Sequence, residues 1–461
     1  MLSTGDVISI IFFFSTLLVL LTGLPIAFSL AGLSLIFAGI GYLFGVFDFS
    51  TLINLPLRYF ATMSNEVLVA VPLFILMGNV LERSGIAEAL LITMGKLFGA
   101  IRGGLGYSVI LVGALLAAST GVVGATVAAM TLIALPAMLR AGYQPKFATG
   151  IICSSSTLAQ IIPPSTVLIF TADILSAVNQ ITQMRLGNFA AATLSAGDLF
   201  AGALLPGLLL VSLYLLYVFG KSVLHPTSCP GLALSDEERS NLLGEVFRAL
   251  VPPLLLILAV LGSILLGVAT PTESASLGVF GATLLAVIKK RLTFKAALQA
   301  GRNTVVTTAM IFAIVLAASL FALTFRGLGG EHMVEEALKD MPGGQTGAIL
   351  IVMSVMFVLG FFLDTFEIIL IMLPICGGPL ILLGVDPIWL GVMVAINLQT
   401  SFLTPPFGYT LFYMRGLAPR SVKTTEIWAG AVPFVFLQVI GLAIVWQFPA
   451  LATWLPSVLL R

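Results

Sequence analysis

Two hydroxyl clusters stand just ahead of proline pairs. Ser154, Ser155, Ser156 and Thr157 precede Pro163–Pro164, and Thr400, Ser401 and Thr404 precede Pro405–Pro406. A Pro-Pro pair removes two backbone donors and frees the carbonyls that would have accepted from them. Neutral hydroxyl oxygens beside freed carbonyls suit a site that binds and releases an alkali cation. The competing reading is a plain kink, with each hydroxyl bonded to its own helix. Carboxylates supply the charge. Asp364 and Glu367 lie three apart in VLGFFLDTFEIILIMLP, so they share a helix face. Asp364 is the first candidate for cation coupling, with helix capping as its alternative. Glu273, after Thr270, Pro271 and Thr272, reads equally as a cap or as a functional acid. Asp173 ends the first Pro-Pro segment, and Asn79 in VPLFILMGNVLERSG either lines a pathway or pins a helix end.

The surroundings make these groups costly. Hydrophobic residues are 59% of the 461-residue chain, charged residues 9%, and the mean hydropathy is +1.13. Soluble domains carry about a quarter charged residues, so this chain cannot cover a water-exposed surface and belongs in lipid. Its tracts predict about ten to thirteen membrane segments of roughly 20 residues or fewer, some of them re-entrant. The N-terminus turns apolar without a basic region or a small-residue cleavage site, which predicts a retained first span. Cys153, Cys229 and Cys376 lie far apart and read as small apolar filler. HExxH and GxSxG motifs are absent, and His225 and His332 fall in expected loops, so catalysis and a histidine proton relay are disfavoured. A net charge of +1 without a basic, aromatic cluster gives no nucleic-acid surface.

The elements that would position the site recur. The proline pairs are 242 residues apart, and each follows a Leu-Pro, with 27 residues from Pro136 to Pro163 and 31 from Pro374 to Pro405. Conserved order with drifting spacing points to a diverged internal duplication, and helix breakers in matched places of a duplicated membrane chain point to a secondary transporter. Residues 103–139 carry no charge, with Gly and Ser through the middle, and are expected to enter the membrane and turn back. Basic clusters at Lys289, Lys290, Arg291, Lys295 and Arg302 and at Arg415, Arg420 and Lys423 are expected on the cytoplasmic side, with Arg140 and Lys146 flanking a third candidate. Residues 175–198 and 221–248 read as polar connections, the second containing a helix start capped by Ser235 with Glu238.

AASTGVVGATVAAMTLIALPAMLRAGYQPKFATGIICSSSTLAQIIPPS, GVATPTESASLGVFGA, the Gly360–Pro374 segment and GVDPIWLGVMVAINLQTSFLTPPFGYTLFYMRG occur in that order. Together they resemble the large membrane (permease) subunit of the tripartite ATP-independent periplasmic (TRAP) transporters over nearly the whole chain. The resemblance implies an all-α, multi-pass protein of the bacterial inner membrane, an elevator-type secondary transporter with inverted repeats, two re-entrant helical hairpins and two broken helices. It implies scaffold helices over 1–102, a first transport repeat over 103–173, an inserted polar loop over 174–198, and connecting helices over 199–345. A second transport repeat over 346–416 and a C-terminal helix over 417–461 complete the division.

It further implies uptake of an organic acid, driven by a Na⁺ gradient with two or more ions per cycle. A periplasmic substrate-binding protein would deliver the acid, and a four-helix small membrane subunit on a separate chain would brace the scaffold. Substrate is expected near Ser119, Thr120, Gly121, Gly124, Thr126, Ser156, Thr400 and Gly408. Cations are expected near Ser154, Ser155, Pro163, Gly360, Asp364, Thr365, Thr404 and Pro405. One departure is the longer stretch after Asp173, which is similar to a larger subgroup of the family and leaves the substrate open. A proton-coupled carrier of similar architecture and a non-transporting membrane scaffold are the alternatives.

Overall fold

The computed structural model describes residues 3–120, 123–190, 193–231 and 242–459. It is an all-α, multi-spanning helical bundle. The N-terminal helices are α1 (Thr4–Leu20), α2 (Ile26–Leu43), α3 (Leu55–Met63), α4 (Glu66–Arg83) and α5 (Ile86–Gly99). Then come α6 (Gly104–Thr120), α7 (Val123–Arg140), α8 (Pro145–Thr157), α9 (Thr166–Arg185) and the long α10 (Ala196–Leu224). Two spanning helices, α11 (Leu242–Leu265) and α12 (Pro271–Ile288), lead to α13 (Phe294–Gly327) and the short amphipathic α14 (Gly330–Lys339). The last third is α15 (Gly344–Leu359), α16 (Thr365–Leu382), α17 (Pro387–Leu403), α18 (Tyr409–Leu417), α19 (Thr424–Gln447) and α20 (Ala450–Leu459).

Among the described residues, nine helices are long and apolar enough to cross a membrane, or up to ten if α3 and α4, bent by 52°, count as one span. The remaining apolar tracts fold as shorter helices, α1, α6, α15, α17 and α20 among them. Their outer faces are oily, with Phe28 79% and Leu43 83% exposed, which a lipid surface accepts and water does not.

The scarce acids are spent on helix starts. Ser3 with Asp6, Ser195 with Asp198, Thr270 with Glu273, and Asp364 with Glu367 form reciprocal caps on α1, α10, α12 and α16. Each cap satisfies orphan amides of a first turn and places negative charge at the positive end of the helix dipole. Glu273 is therefore an exposed capping residue: it accepts from the Thr270 amide at 2.8 Å and from its hydroxyl at 2.9 Å.

The expected polar loop over 174–198 needs correction. The helix α9 runs through it to Arg185, because Leu175, Val178 and Thr182 form one face against α16. Methyl groups built at Gly377 and Gly378 would meet Val178 at 3.4 and 3.7 Å, so the two helices are in close contact there. The cap expected at Ser235 and Glu238 lies outside the described residues. Cys153, Cys229 and Cys376 are free and buried, as filler would be.

The same order of parts appears twice. Two successive helices (α6 and α7, α15 and α16) are followed by a helix broken at a Pro-Pro pair (α8/α9, α17/α18) and then a long helix (α10, α19). Small residues let these parts approach, as in other membrane bundles. A methyl at Gly150 on α8 would collide with the Gly430 carbonyl of α19, and one at Gly430 with the Lys146 carbonyl. Gly150→Leu is expected to destabilise the protein by about 1–3 kcal/mol through overpacking, lowering its thermal midpoint in detergent; an unchanged midpoint would mean that the two backbones are not in contact.

Candidate functional site

The first break begins where α8 runs out in four consecutive hydroxyl residues, all fully buried. Each donates within its own helix: Ser154 to the Ile151 carbonyl (3.0 Å), Ser155 and Ser156 to Ile152 (3.1 and 2.7 Å), and Thr157 to Ser154 (2.8 Å). A hydroxyl whose proton is committed to a backbone carbonyl has only acceptor capacity left, and a cation needs acceptors. One 3₁₀ turn, Leu158–Gln160, leads to Pro163–Pro164, joined by a cis peptide bond. Beyond it the Ser165 hydroxyl reaches back to the carbonyls of Ala159 (2.9 Å) and Gln160 (3.1 Å). The carbonyls expected to be left for a cation are thus partly satisfied from across the break.

The second break repeats the device with different residues. Thr400 donates to Ile396 (2.8 Å) and Thr404 to Thr400 (2.8 Å). Pro405–Pro406 is again cis, and the Thr410 hydroxyl returns across the break to Phe402 (2.7 Å). Ser401 instead leaves its helix and donates to the Phe357 carbonyl at the end of α15 (2.7 Å). A methyl at Gly360 would clash with the Ser401 side chain, so the glycine lets the turn between α15 and α16 close onto the second break. Gly408 starts α18 close under the Phe402 carbonyl.

At that turn Asp364 accepts from the Thr365 amide (2.7 Å), while its own amide donates to Glu367 (3.3 Å). Asp364 is partly buried and Glu367 is 4% exposed, and neither forms an ion pair with a basic side chain among the described residues. Asp364 therefore caps a helix, on a first turn whose Glu367 is buried in the bundle. Two neighbouring carboxylates away from water need a proton or a cation, and the helix dipole covers only part of that need.

The halves interlock crosswise. Gln160, on the first break, donates to the Thr365 hydroxyl at the second turn (2.7 Å), and its own side-chain carbonyl has no partner among the described residues. Tyr409, on the second break, stands against the start of α7, where a methyl at Gly124 would come within 3.3 Å of its hydroxyl. The Tyr409 and Tyr413 hydroxyls are 3.3 Å apart. Thr126 is buried beside this turn. Gly121 and the side chains of Ser119 and Thr120 lie outside the described residues. Gln160 and Tyr409 were not singled out from sequence; an amide and a phenol in otherwise oily broken segments were the available signal.

Three expected residues stand elsewhere. Asn79 donates to Thr304 (3.0 Å) and pins α4 to α13. Asp173 accepts from Asn65 (2.6 Å), fixing α9 to the start of α4. Glu273 caps α12, away from both breaks.

The arrangement is a set of acceptor oxygens and two unpaired carboxylates enclosed by paired breaks and turns, with no nucleophile–base pair among these residues. It is suited to holding a small cation or a polar solute and letting it go. The family described as "Tripartite ATP-independent periplasmic transporter, DctM component" matches residues 13–451. The chain is 30% identical over 409 residues to the C4-dicarboxylate TRAP transporter large permease protein DctM of Pseudomonas aeruginosa, covering 88% of this chain and 89% of that one. It is 28% identical over 451 residues to the ectoine TRAP transporter large permease protein TeaC of Halomonas elongata, covering 96% and 97%. In fold it resembles the YdaH transporter of Alcanivorax borkumensis, with a TM-score of 0.62 over 98% of both chains at 15% identity. The chain therefore belongs to the DctM component family of the TRAP transporters, multi-pass permeases of the bacterial inner membrane that act without catalytic chemistry.

Proposed function

We propose that this permease takes up an organic acid by an elevator movement coupled to a Na⁺ gradient. A periplasmic binding protein delivers the acid, and a separate small membrane subunit braces the scaffold. The observation that carries the reading is the unpaired Asp364–Glu367 carboxylate pair, set where a helix turn meets two Pro-Pro breaks. Binding Na⁺ there offsets the cost of a buried negative charge, and that offset couples cation to solute. Transport then follows from a difference in affinity between outward- and inward-facing states.

Depth supports the hairpin reading. The first break lies between α8 and α9, far from the outer end of either, and Thr365 is bonded to Gln160 on that break. The α15/α16 turn is then at mid-depth, as a re-entrant hairpin requires. The α6/α7 turn meets the second break through Gly124 and Tyr409 in the same way. If the three basic clusters share the cytoplasmic side, α8/α9 through α12 make an even number of crossings between the first two. The span α13 and the broken span α17/α18 do the same between the second and third. The two hairpins then enter from opposite faces, which is an inverted repeat. A cavity of about 340 Å³ lies between α3, α9, α13 and α16, with Arg58, Asp173, Arg326 and Glu331 on its walls.

The relatives named above differ in cargo, C4-dicarboxylate in one and ectoine in the other. We place this chain's cargo in the broad class of small organic acids, its exact identity set by the binding protein. A proton-coupled carrier is the second reading, because the same acid pair can be neutralised by a proton.

Two measurements test the proposal. In proteoliposomes containing all three components, Asp364→Asn is expected to lower Na⁺-dependent uptake at least tenfold while leaving assembly intact. Unchanged sodium dependence would remove Asp364 from coupling, and full uptake driven by a pH gradient without Na⁺ would replace sodium by protons. Second, a thermal-shift screen of the partner binding protein is expected to yield a carboxylate ligand; stabilisation only by uncharged sugars would rule out the organic-acid class.

A further inference from the structure

A second polar cluster lies outside the site, and both breaks reach it. Thr157 stands six residues before Pro163, and Gln399 six residues before Pro405, so the two occupy equivalent places in their halves. The Gln399 amide is 3.2 Å from the Tyr214 hydroxyl. The Gln438 amide is 2.7 Å from the same hydroxyl and 3.2 Å from the Thr157 hydroxyl. Tyr214 is on α10 and Gln438 on α19, the long helices that follow the two broken pairs. All four side chains are 0% exposed, and Phe434 packs edge-on against the Tyr214 ring at 5.4 Å. The cluster therefore has the order of the duplicated halves: one group from each break and one from each following helix.

A polar hub of this kind adds little cohesion that well-packed leucines would not give. What it adds is register, because the N–H groups of each buried amide find their acceptors in one arrangement and lose them on a slip, while the side-chain carbonyls of Gln399 and Gln438 have no partner among the described residues. The register it sets is that of the breaks. Thr157 donates to the Ser154 carbonyl, inside the hydroxyl cluster of the first break, and Gln399 is next to Thr400 on the second.

We infer that Tyr214 is a positioning residue that holds the two breaks in one register, so that acceptor oxygens from both halves bind cations as a unit, and that α10 and α19 travel with them. This inference rests on the sodium-coupled reading.

The test is the Na⁺ dependence of uptake by the reconstituted complex carrying Tyr214→Phe. The half-saturating Na⁺ concentration is expected to rise at least threefold and the Hill coefficient to fall toward one, with uptake at saturating Na⁺ within twofold of the parent. Thr157→Val is expected to shift half-saturation in the same direction and Thr157→Ser to restore it, which keeps the test open if the tyrosine variant does not fold. Tyr217→Phe, one turn along and against the same Phe434, is the control and is expected to be neutral. A purely structural role would lower the uptake rate or the yield equally at all Na⁺ concentrations and would overturn the inference. If the parent is sodium-dependent and both Tyr214→Phe and Thr157→Val leave half-saturation unchanged, the hub fails and the transport reading stands. A parent without sodium dependence overturns both.

Discussion

Every peptide group of this chain that lies in hydrocarbon must find a partner inside the protein, since an orphan costs several kcal/mol there. A continuous helix meets that demand by itself, and a Pro-Pro break defeats it. The chain meets the difficulty with one hydroxyl on the far side of each break. Ser165 covers the carbonyls of Ala159 and Gln160, and Thr410 covers that of Phe402. With the backbone so satisfied, irregular structure can persist in the middle of the bundle. The hydroxyls ahead of the prolines are arranged by the same economy: their protons go to their own helix, with Ser401 as the exception that ties the break to the neighbouring turn.

Charge is governed by the same constraint. With 20 acidic residues in the chain, the structure uses Asp6, Asp198 and Glu273 to close helix N-termini, where the dipole and the free amides favour an anion. Asp364 and Glu367 make the same cap inside the bundle. What distinguishes them is therefore their setting, not their local geometry. A capping acid at a wet helix end keeps its charge and is stabilised by water, whereas this pair has no basic side chain bonded to it among the described residues.

The paired breaks were legible in the sequence because proline acts through its own covalent structure, whatever surrounds it. At Glu273, Thr270 three residues before a glutamate is a helix-start pattern that left a cap and a functional acid equally open, and the structure shows the cap. The same pattern at Asp364 and Glu367 also left two readings open, and the structure shows the cap there too. The polar stretch after Asp173 misled for a physical reason. Its composition is that of a loop, but Leu175, Val178 and Thr182 keep helical spacing and bury a face against Gly377 and Gly378. Gln160, Tyr409 and Tyr214 act through partners far away in the chain, Gln160 and Thr365 being 205 positions apart. No local pattern encodes such contacts.

The crosswise arrangement has a mechanical consequence. The start of α16 rests on the first break through Gln160 and Thr365, and the start of α7 rests on the second break through Gly124 and Tyr409. Separating a turn from its break also separates Gln160 from Thr365 and strands a buried amide, at a cost of about 1–3 kcal/mol unless something replaces the partner. Opening is therefore costly with the site empty of any substitute, and a ligand whose oxygens can take the place of Thr365 lowers that cost. The close packing of α8 on α19 at Gly150 and Gly430 resists bending within the same block. Motions that carry both breaks and both turns together leave all of these contacts intact, so the connectivity of the hydrogen bonds favours displacement of one rigid block over independent movement of its halves.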